Sequence, residues 1–234
     1  MFFRFLHTFF IVLLAITGFF VGAGIAFCFA LFTTNKIKAF QNTAHLWARF
    51  LMFFSGVKVS VSGFNNIPLD RPAILVVNHQ GAADIPILLA YLPGRFRFAI
   101  KKELFKIPCF GWYLKQAGYF SIDREAFRAA YRTLDTIAEI IKSGESVLVF
   151  PEGTRSWDGT LGKFKRGSLM AALKSGAPLI PIAISGSYNI LPRGTKLLNP
   201  AAVKLSAGTP IYIRTEEEYE NKVEAVRTAI ERML

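Results

Sequence analysis

From Phe5 to Asn35 the chain carries no charged side chain, His7 apart if it is protonated. The apolar body runs from Phe9-Phe10-Ile11-Val12 through Ala26-Phe27-Cys28-Phe29-Ala30-Leu31-Phe32. As a helix rising about 1.5 Å per residue, it is long enough to cross a hydrocarbon core of about 30 Å. Arg4 precedes it, and Lys36 and Lys38 come after it. A cleaved signal peptide has an apolar centre of about 7–15 residues closed by a small-x-small site. This stretch is longer and has no clean site of that kind, so it reads as a membrane anchor, either spanning the bilayer or lying within one leaflet. Gly18, Gly22 and Gly24 allow a bend or the close approach of a second helix. Residues 36–55 are the candidate for that helix, with Ile37, Phe40, Ala44, Trp47, Leu51 and Phe54 recurring at three- and four-residue steps. The pattern is that of a helix lying in the membrane interface, the alternative being an ordinary helix packed on the soluble body.

Residues 56–234 read as a single body attached to this anchoring segment, 1–55. Apolar residues make up 52% of the chain and charged residues 19%, which excludes intrinsic disorder. Three His and two Cys argue against a metal or disulfide scaffold. Cys28 and Cys109 stand in apolar sequence without a partner at metal-ligand spacing, which suits a reducing compartment. The net charge of +12 is uneven, because 19 of the 28 Lys and Arg lie between 85 and 215. An electropositive middle can meet nucleic acid, an anionic membrane or a phosphorylated substrate. A nucleic-acid binder needs a basic groove with stacking aromatics and has no use for the apolar segment, so the last two remain.

Beyond Gly56, short β-rich runs alternate with helical ones. Ala73–Val77, Phe96–Ile100, Tyr119–Ile122, Val147–Phe150 and Leu179–Ile184 read as buried strands. Helices are predicted over 125–142 with Gly144 past its end, over 168–175 closed by Gly176, and over 216–234 opened by a Thr215/Glu218 capping box. This order predicts an α/β fold, a largely parallel central sheet flanked by helices. In such sheets the chemistry lies beyond the carboxyl ends of the strands. There the sequence places Asn78-His79, Asp123-Arg124, Pro151-Glu152-Gly153 and Ser185-Gly186.

His79 and Asp84 form H-x-x-x-x-D. Five residues along a helix set them about 140° apart, so only a turn through Gly81 brings imidazole and carboxylate together. A carboxylate on one ring nitrogen fixes the tautomer and leaves the other as a proton acceptor. The alternative is that Asp84 caps the helix starting at Ile85-Pro86. Phe150–Ser156 comes after a strand, and its Arg155 can hold a phosphate through two parallel hydrogen bonds. Lys163, Lys165 and Arg166 add charge ahead of a helix N-terminus, as an anion site or as solvated surface.

Taken together these segments resemble the four ordered blocks of the glycerolipid acyltransferases, the family of 1-acyl-glycerol-3-phosphate acyltransferases. Asn78-His79-Gln80-Gly81-Ala82-Ala83-Asp84 is similar to the first block. Lys101–Leu104, with Ile107-Pro108, Gly111 and Gly118–Arg124, is similar to the second. Phe150–Ser156 with Phe164–Gly167 resembles the third, and Ile180–Gly186 the fourth. The resemblance covers about 56–215. It implies that His79 is the general base, oriented by Asp84, and that Arg124, Glu152, Gly153, Thr154 and Arg155 bind the acceptor. Lys101 or Lys102 would add a phosphate contact. Gly81 departs from the family, many of whose members carry Ser there.

The implied reaction moves a fatty acyl group from acyl-CoA or acyl carrier protein to the sn-2 hydroxyl of lysophosphatidic acid, giving phosphatidic acid. It requires no metal, no cofactor beyond that thioester co-substrate, and no covalent acyl-enzyme. The active domain would be membrane-bound and face the cytoplasm, as Lys36, Lys38 and Arg49 also suggest. The rivals are the same chemistry on a lyso-ornithine lipid or lysophosphoglyceride, and a non-catalytic lipid-binding protein, which would have no need of a base. No G-x-S-x-G elbow surrounds Ser156, Ser168 or Ser185. Cys109, in Ile107-Pro108-Cys109-Phe110, is expected to be buried and inert.

Overall fold

The computed structural model describes residues 1–122, 127–165, 167–192 and 194–234. Two long helices, α1 (Phe2–Leu31) and α2 (Lys36–Ser55), lead into the body. The body opens with β1 (Lys58–Ser62), β2 (Ile74–Val77), α3 (Asp84–Tyr91), β3 (Phe96–Lys101), α4 (Phe110–Gln116), β4 (Phe120–Ile122), α5 (Phe127–Lys142) and β5 (Ser146–Val149). The chain closes with α6 (Met170–Ser175), β6 (Leu179–Ser185), β7 (Ala202–Ala207) and α7 (Tyr219–Met233).

The seven strands form one sheet in the order β1-β7-β6-β2-β5-β3-β4. β2 to β6 run parallel, and β7 returns antiparallel to β6 with β1 parallel beside it. All five predicted strands are present to within a residue at each end. β2 is buried along its whole length because both faces of the sheet are covered. Its side chains alternate: Leu75 and Val77 enter a core with α2, α3 and α4, while Ile74 and Val76 enter a second core with α5, α6 and α7. The chain reaches β3 and β4 on one side of β2 and crosses to β6 on the other. Loops leaving β2, β5 and β6 therefore share one sheet edge.

α1 is long and apolar enough to cross a membrane, and 11% of its most apolar window is buried within the protein. Phe9, Leu13, Phe20, Phe29 and others stand exposed along it, as a lipid-facing helix requires. It packs chiefly on α2, and Phe19 also meets Phe110 and Tyr113 of α4. Trp47 lies over Gly18, where an added Cβ would come 3.2 Å from the indole Cδ1, and its Nε1 donates to the Ala15 carbonyl at 3.0 Å. The predicted apolar stripe of α2 is only partly the buried one. Phe40, Ala44 and Leu51 are buried, together with Gln41, Thr43, Ala48, Met52 and Ser55. Phe50, Phe53 and Phe54 are exposed on the other side. α2 thus combines the two sequence readings, packed on the body along one face and apolar towards the outside along another.

Three local expectations are corrected. α7 begins at Tyr219 with Glu218 as N-cap and no side-chain cap bond, because residues 216–218 form a separate turn and Thr215 lies outside the helix. α6 spans six residues and starts at Met170, so Lys165 does not sit at the N-terminus of a helix with an appreciable dipole. Cys109 is exposed rather than buried, held at φ 60° on a tight turn into α4. The expectation that burial makes its thiol inert therefore fails.

Candidate active site

β2 ends at Val77, and the next residue ties the loop to the sheet. The Asn78 side chain pairs with Ile184 of β6, donating through Nδ2 to its carbonyl at 2.9 Å and accepting its N–H at Oδ1 at 2.8 Å. A buried amide that completes both bonds substitutes for one rung of the ladder. The chain then turns through Gln80 and Gly81 into α3, whose first residue is Asp84. The turn brings the two expected partners together. His79 Nδ1 lies 2.6 Å from Asp84 Oδ2, and the carboxylate is fully buried.

The same oxygen accepts the backbone N–H of Gln80 at 2.8 Å and of Gly81 at 2.9 Å. Oδ1 is buried with no partner among the described residues, so these donors converge on the oxygen that faces His79. The N-cap of α3 is Ala83, and no side chain caps the helix. The carboxylate points back to the turn, which decides between the two sequence readings of Asp84. Since a carboxylate accepts, Nδ1 carries the hydrogen in the neutral ring and Nε2 is left as the proton acceptor.

The loop after β5 holds His79 from the other side. Phe150 stacks on the imidazole, with centroids 4.1 Å apart and planes at 20°. Glu152 Oε1 accepts the backbone N–H of His79 at 2.8 Å, and Oε2 accepts that of Gly162 at 2.9 Å. The Ser156 N–H closes the arrangement by donating to the His79 carbonyl at 2.8 Å. Burial pushes the Glu152 carboxyl above its ordinary value of 4.5, and the two backbone hydrogen bonds pull against it. Gln80 fastens the far side, donating to the Gly159 carbonyl at 2.7 Å and accepting from the Ser187 hydroxyl at 3.2 Å.

His79 forms part of the wall of a cavity of about 560 Å³. Thr154, Arg155 and Lys101 join it on the polar side, and Phe98, Tyr113 and Leu114 on the apolar side. Phe19 and Gly22 of α1, Trp47 of α2, and Ile85, Pro86 and Leu89 of α3 add to the apolar lining. A largely apolar cavity of this size with a few convergent polar groups suits a small ligand with a long hydrocarbon part.

Of the residues expected from sequence, His79, Lys101, Thr154 and Arg155 border this space. Asp84 stands behind His79. Glu152 is turned into the loops, where its carboxylate accepts two backbone N–H groups, and it is not among the residues that line the cavity. Gly153 has φ 69°, and a Cβ there would fall 2.6 Å from Lys165 Cε, so glycine lets the Lys165 stem cross the turn. Lys101 is paired with Glu103 at 3.6 Å on the surface. Lys102, in the short turn of 3-10 helix after β3, does not border the cavity. Arg124 and Arg166 lie outside the described residues. Sequence reasoning assigned no role to Phe150, Gln80 or Gly162. The only signal was their position inside or beside the blocks.

These features place the chain in a known class. It belongs to the acyltransferase family, whose profile matches residues 58–185, more than half of its length. A chloroplastic 1-acyl-sn-glycerol-3-phosphate acyltransferase of Brassica napus is 37% identical over 184 residues, 78% of this chain and 53% of that one. The 1-acyl-sn-glycerol-3-phosphate acyltransferase of Pseudomonas aeruginosa is 31% identical over 176 residues, 73% of this chain and 67% of that one. The crystal structure of the 1-acyl-sn-glycerophosphate (LPA) acyltransferase PlsC from Thermotoga maritima matches with a TM-score of 0.82 at 31% identity, over 98% of this chain and 96% of that one. The chain spans about half the length of the Brassica relative.

Proposed function

We propose that the protein transfers a fatty acyl group from an acyl thioester to the sn-2 hydroxyl of lysophosphatidic acid, giving phosphatidic acid. The observation that carries this reading is the buried carboxylate of Asp84 bonded to Nδ1 of a histidine that borders a cavity of acyl-chain character. His79 Nε2 takes the proton from the acceptor hydroxyl as its oxygen attacks the thioester carbonyl. The tetrahedral intermediate then collapses, the carbon–sulfur bond breaks, and the leaving thiolate receives the proton from His79. Phe150 and Asp84 hold the ring in one orientation throughout, so little rearrangement accompanies proton transfer.

In this reading Arg155, with Lys101 and Arg124, binds the acceptor's phosphate, and the apolar part of the cavity houses an acyl chain. Glu152, Gly153 and Thr154 shape the turn that presents Arg155. The thioester donor is acyl-CoA or acyl carrier protein. Residues 1–55 serve as the anchor and 56–234 as the acyltransferase domain, facing the cytoplasm where such donors are made. The cations Lys36, Lys38 and Arg49 beyond α1 agree with that orientation. The relatives' names support lysophosphatidic acid over another lysolipid as acceptor.

The test is His79→Ala, assayed in detergent with lysophosphatidic acid and both thioester donors. Transfer should fall by roughly 10²–10⁴-fold, the usual contribution of a positioned base, with membrane association and thermal unfolding unchanged. A folded variant keeping more than about a tenth of the rate would refute the assignment.

A further inference from the structure

The two carbonyls near the end of α3 are gripped by side chains of α2. Nδ1 of His45 lies 2.5 Å from the Leu89 carbonyl oxygen, and Arg49 Nε donates to the Ala90 carbonyl at 3.0 Å. A carbonyl only accepts, so His45 is the donor. Burial, helped by the nearby Arg49 and Arg95, lowers its pKa from the usual 6.5, against the pull of the carbonyl bond. Its ring also stands edge-on to Phe96, with centroids 5.8 Å apart.

The last carbonyls of a helix have no partner within it and carry its negative end, so a donor and a cation are both favourable there. α3 has eight residues, a rod of about 12 Å by helical rise. At its other end stands Asp84, the residue that orients His79. α2 in turn is fixed to α1 through Trp47 and the Ala15 carbonyl, and to the segment after α4 through Gln41, whose Nε2 donates to the Ala117 carbonyl at 3.1 Å. Neither His45 nor Arg49 borders the cavity, so neither is placed to touch substrate.

We propose that His45 and Arg49 are positioning residues for the reaction: they clamp the C-terminal carbonyls of α3 to α2, so that the seating of the anchoring helices sets the depth of Asp84 behind His79. This rests on His79 and Asp84 being the catalytic pair. A shift of about 1 Å at reacting groups lowers rate by as much as 100-fold, whereas the cations that border the cavity, Lys101 and Arg155, stand on other elements. The clamp therefore acts chiefly on kcat, with a smaller effect on KM because α3 also lends Ile85, Pro86 and Leu89 to the cavity wall.

The experiment is a double-mutant cycle on the full chain in detergent, using Arg49→Met and His45→Phe, alone and together, in the native and Asp84→Ala backgrounds. In the native background the double variant should lower kcat by roughly 10- to 100-fold, with both KM values within about threefold. In the Asp84→Ala background the same changes should cost less than about twofold, because residues acting through one partner are not additive. Arg49→Lys and His45→Asn, which keep a donor, should each recover most of the loss. Equal fold-losses in the two backgrounds would overturn the proposal, as would a KM effect without a kcat effect, or full activity in the double variant. If the double variant does not fold, Arg49→Met against Arg49→Lys decides alone, and equal impairment of the two refutes the clamp. Substantial activity in Asp84→Ala or His79→Ala by themselves would instead refute the catalytic pair.

Discussion

Glu152 offers a sharp test, because sequence and structure give it different roles. The residue is 6% exposed, and its carboxylate joins two backbone N–H groups, those of His79 at 2.8 Å and Gly162 at 2.9 Å. Glu152→Gln preserves the shape but leaves one acceptor. The new amide nitrogen must face one of two N–H donors, so that donor loses its partner. A buried unsatisfied N–H costs about 1–3 kcal/mol, and a charge-assisted bond is worth about 1.5–3 kcal/mol. Working against this, burial already raises the Glu152 pKa, so removing the charge recovers part of the desolvation cost. The net expectation is a loss of about 2 kcal/mol, roughly 4–8 °C in Tm for a chain of this size. Thermal unfolding in detergent and steady-state kinetics at a temperature where the variant is folded measure the two halves. Because Oε1 and Oε2 hold the loops on either side of His79, kcat should fall while the acceptor's KM moves less than about threefold. An unchanged Tm with a tenfold rise in acceptor KM would refute this reasoning and return Glu152 to the acceptor.

Arg155→Ala, beside the cavity and unburied, should raise the acceptor's KM strongly and the donor's little; the opposite pattern in initial-rate kinetics would mean the two substrates have been exchanged. Gly81→Ser should be tolerated in stability and rate. An added Cβ meets nothing nearer than the Ser187 carbonyl oxygen at 3.4 Å and the residue is not at positive φ, so a Tm drop of more than a few degrees would contradict the geometry. Cys109→Ala should retain full activity, now because Cys109 does not border the cavity rather than because it is buried. Initial-rate patterns should be sequential, and acylation of the enzyme by labelled donor alone at the turnover rate would overturn direct transfer.

What the sequence by itself determined is what local pattern controls. Continuous apolar runs define β2 and β6, since strands covered on both faces need no polar alternation. The uncharged span to Asn35 identifies α1, and a seven-residue motif sets His79 and Asp84 close along the chain, while the folded turn decided that the carboxylate meets the imidazole and does not cap the helix. β1 and β7 escaped notice because Lys58–Ser62 and Ala202–Ala207 mix polar and apolar residues, β1 at the sheet edge and β7 next to it, and the reversal at β7 depends on pairing with β6. Tertiary structure alone decided which face of α2 is buried, because that helix is apolar on more than one side and the positions of α1, α3 and α4 choose between them. It alone set Glu152 between His79, 73 residues away, and Gly162, ten residues on. It also brought His45 and Arg49 onto the end of α3. A hydrogen bond to a backbone group leaves no residue-type signature on the accepting or donating side, so contacts of that kind are legible only once the chain is folded.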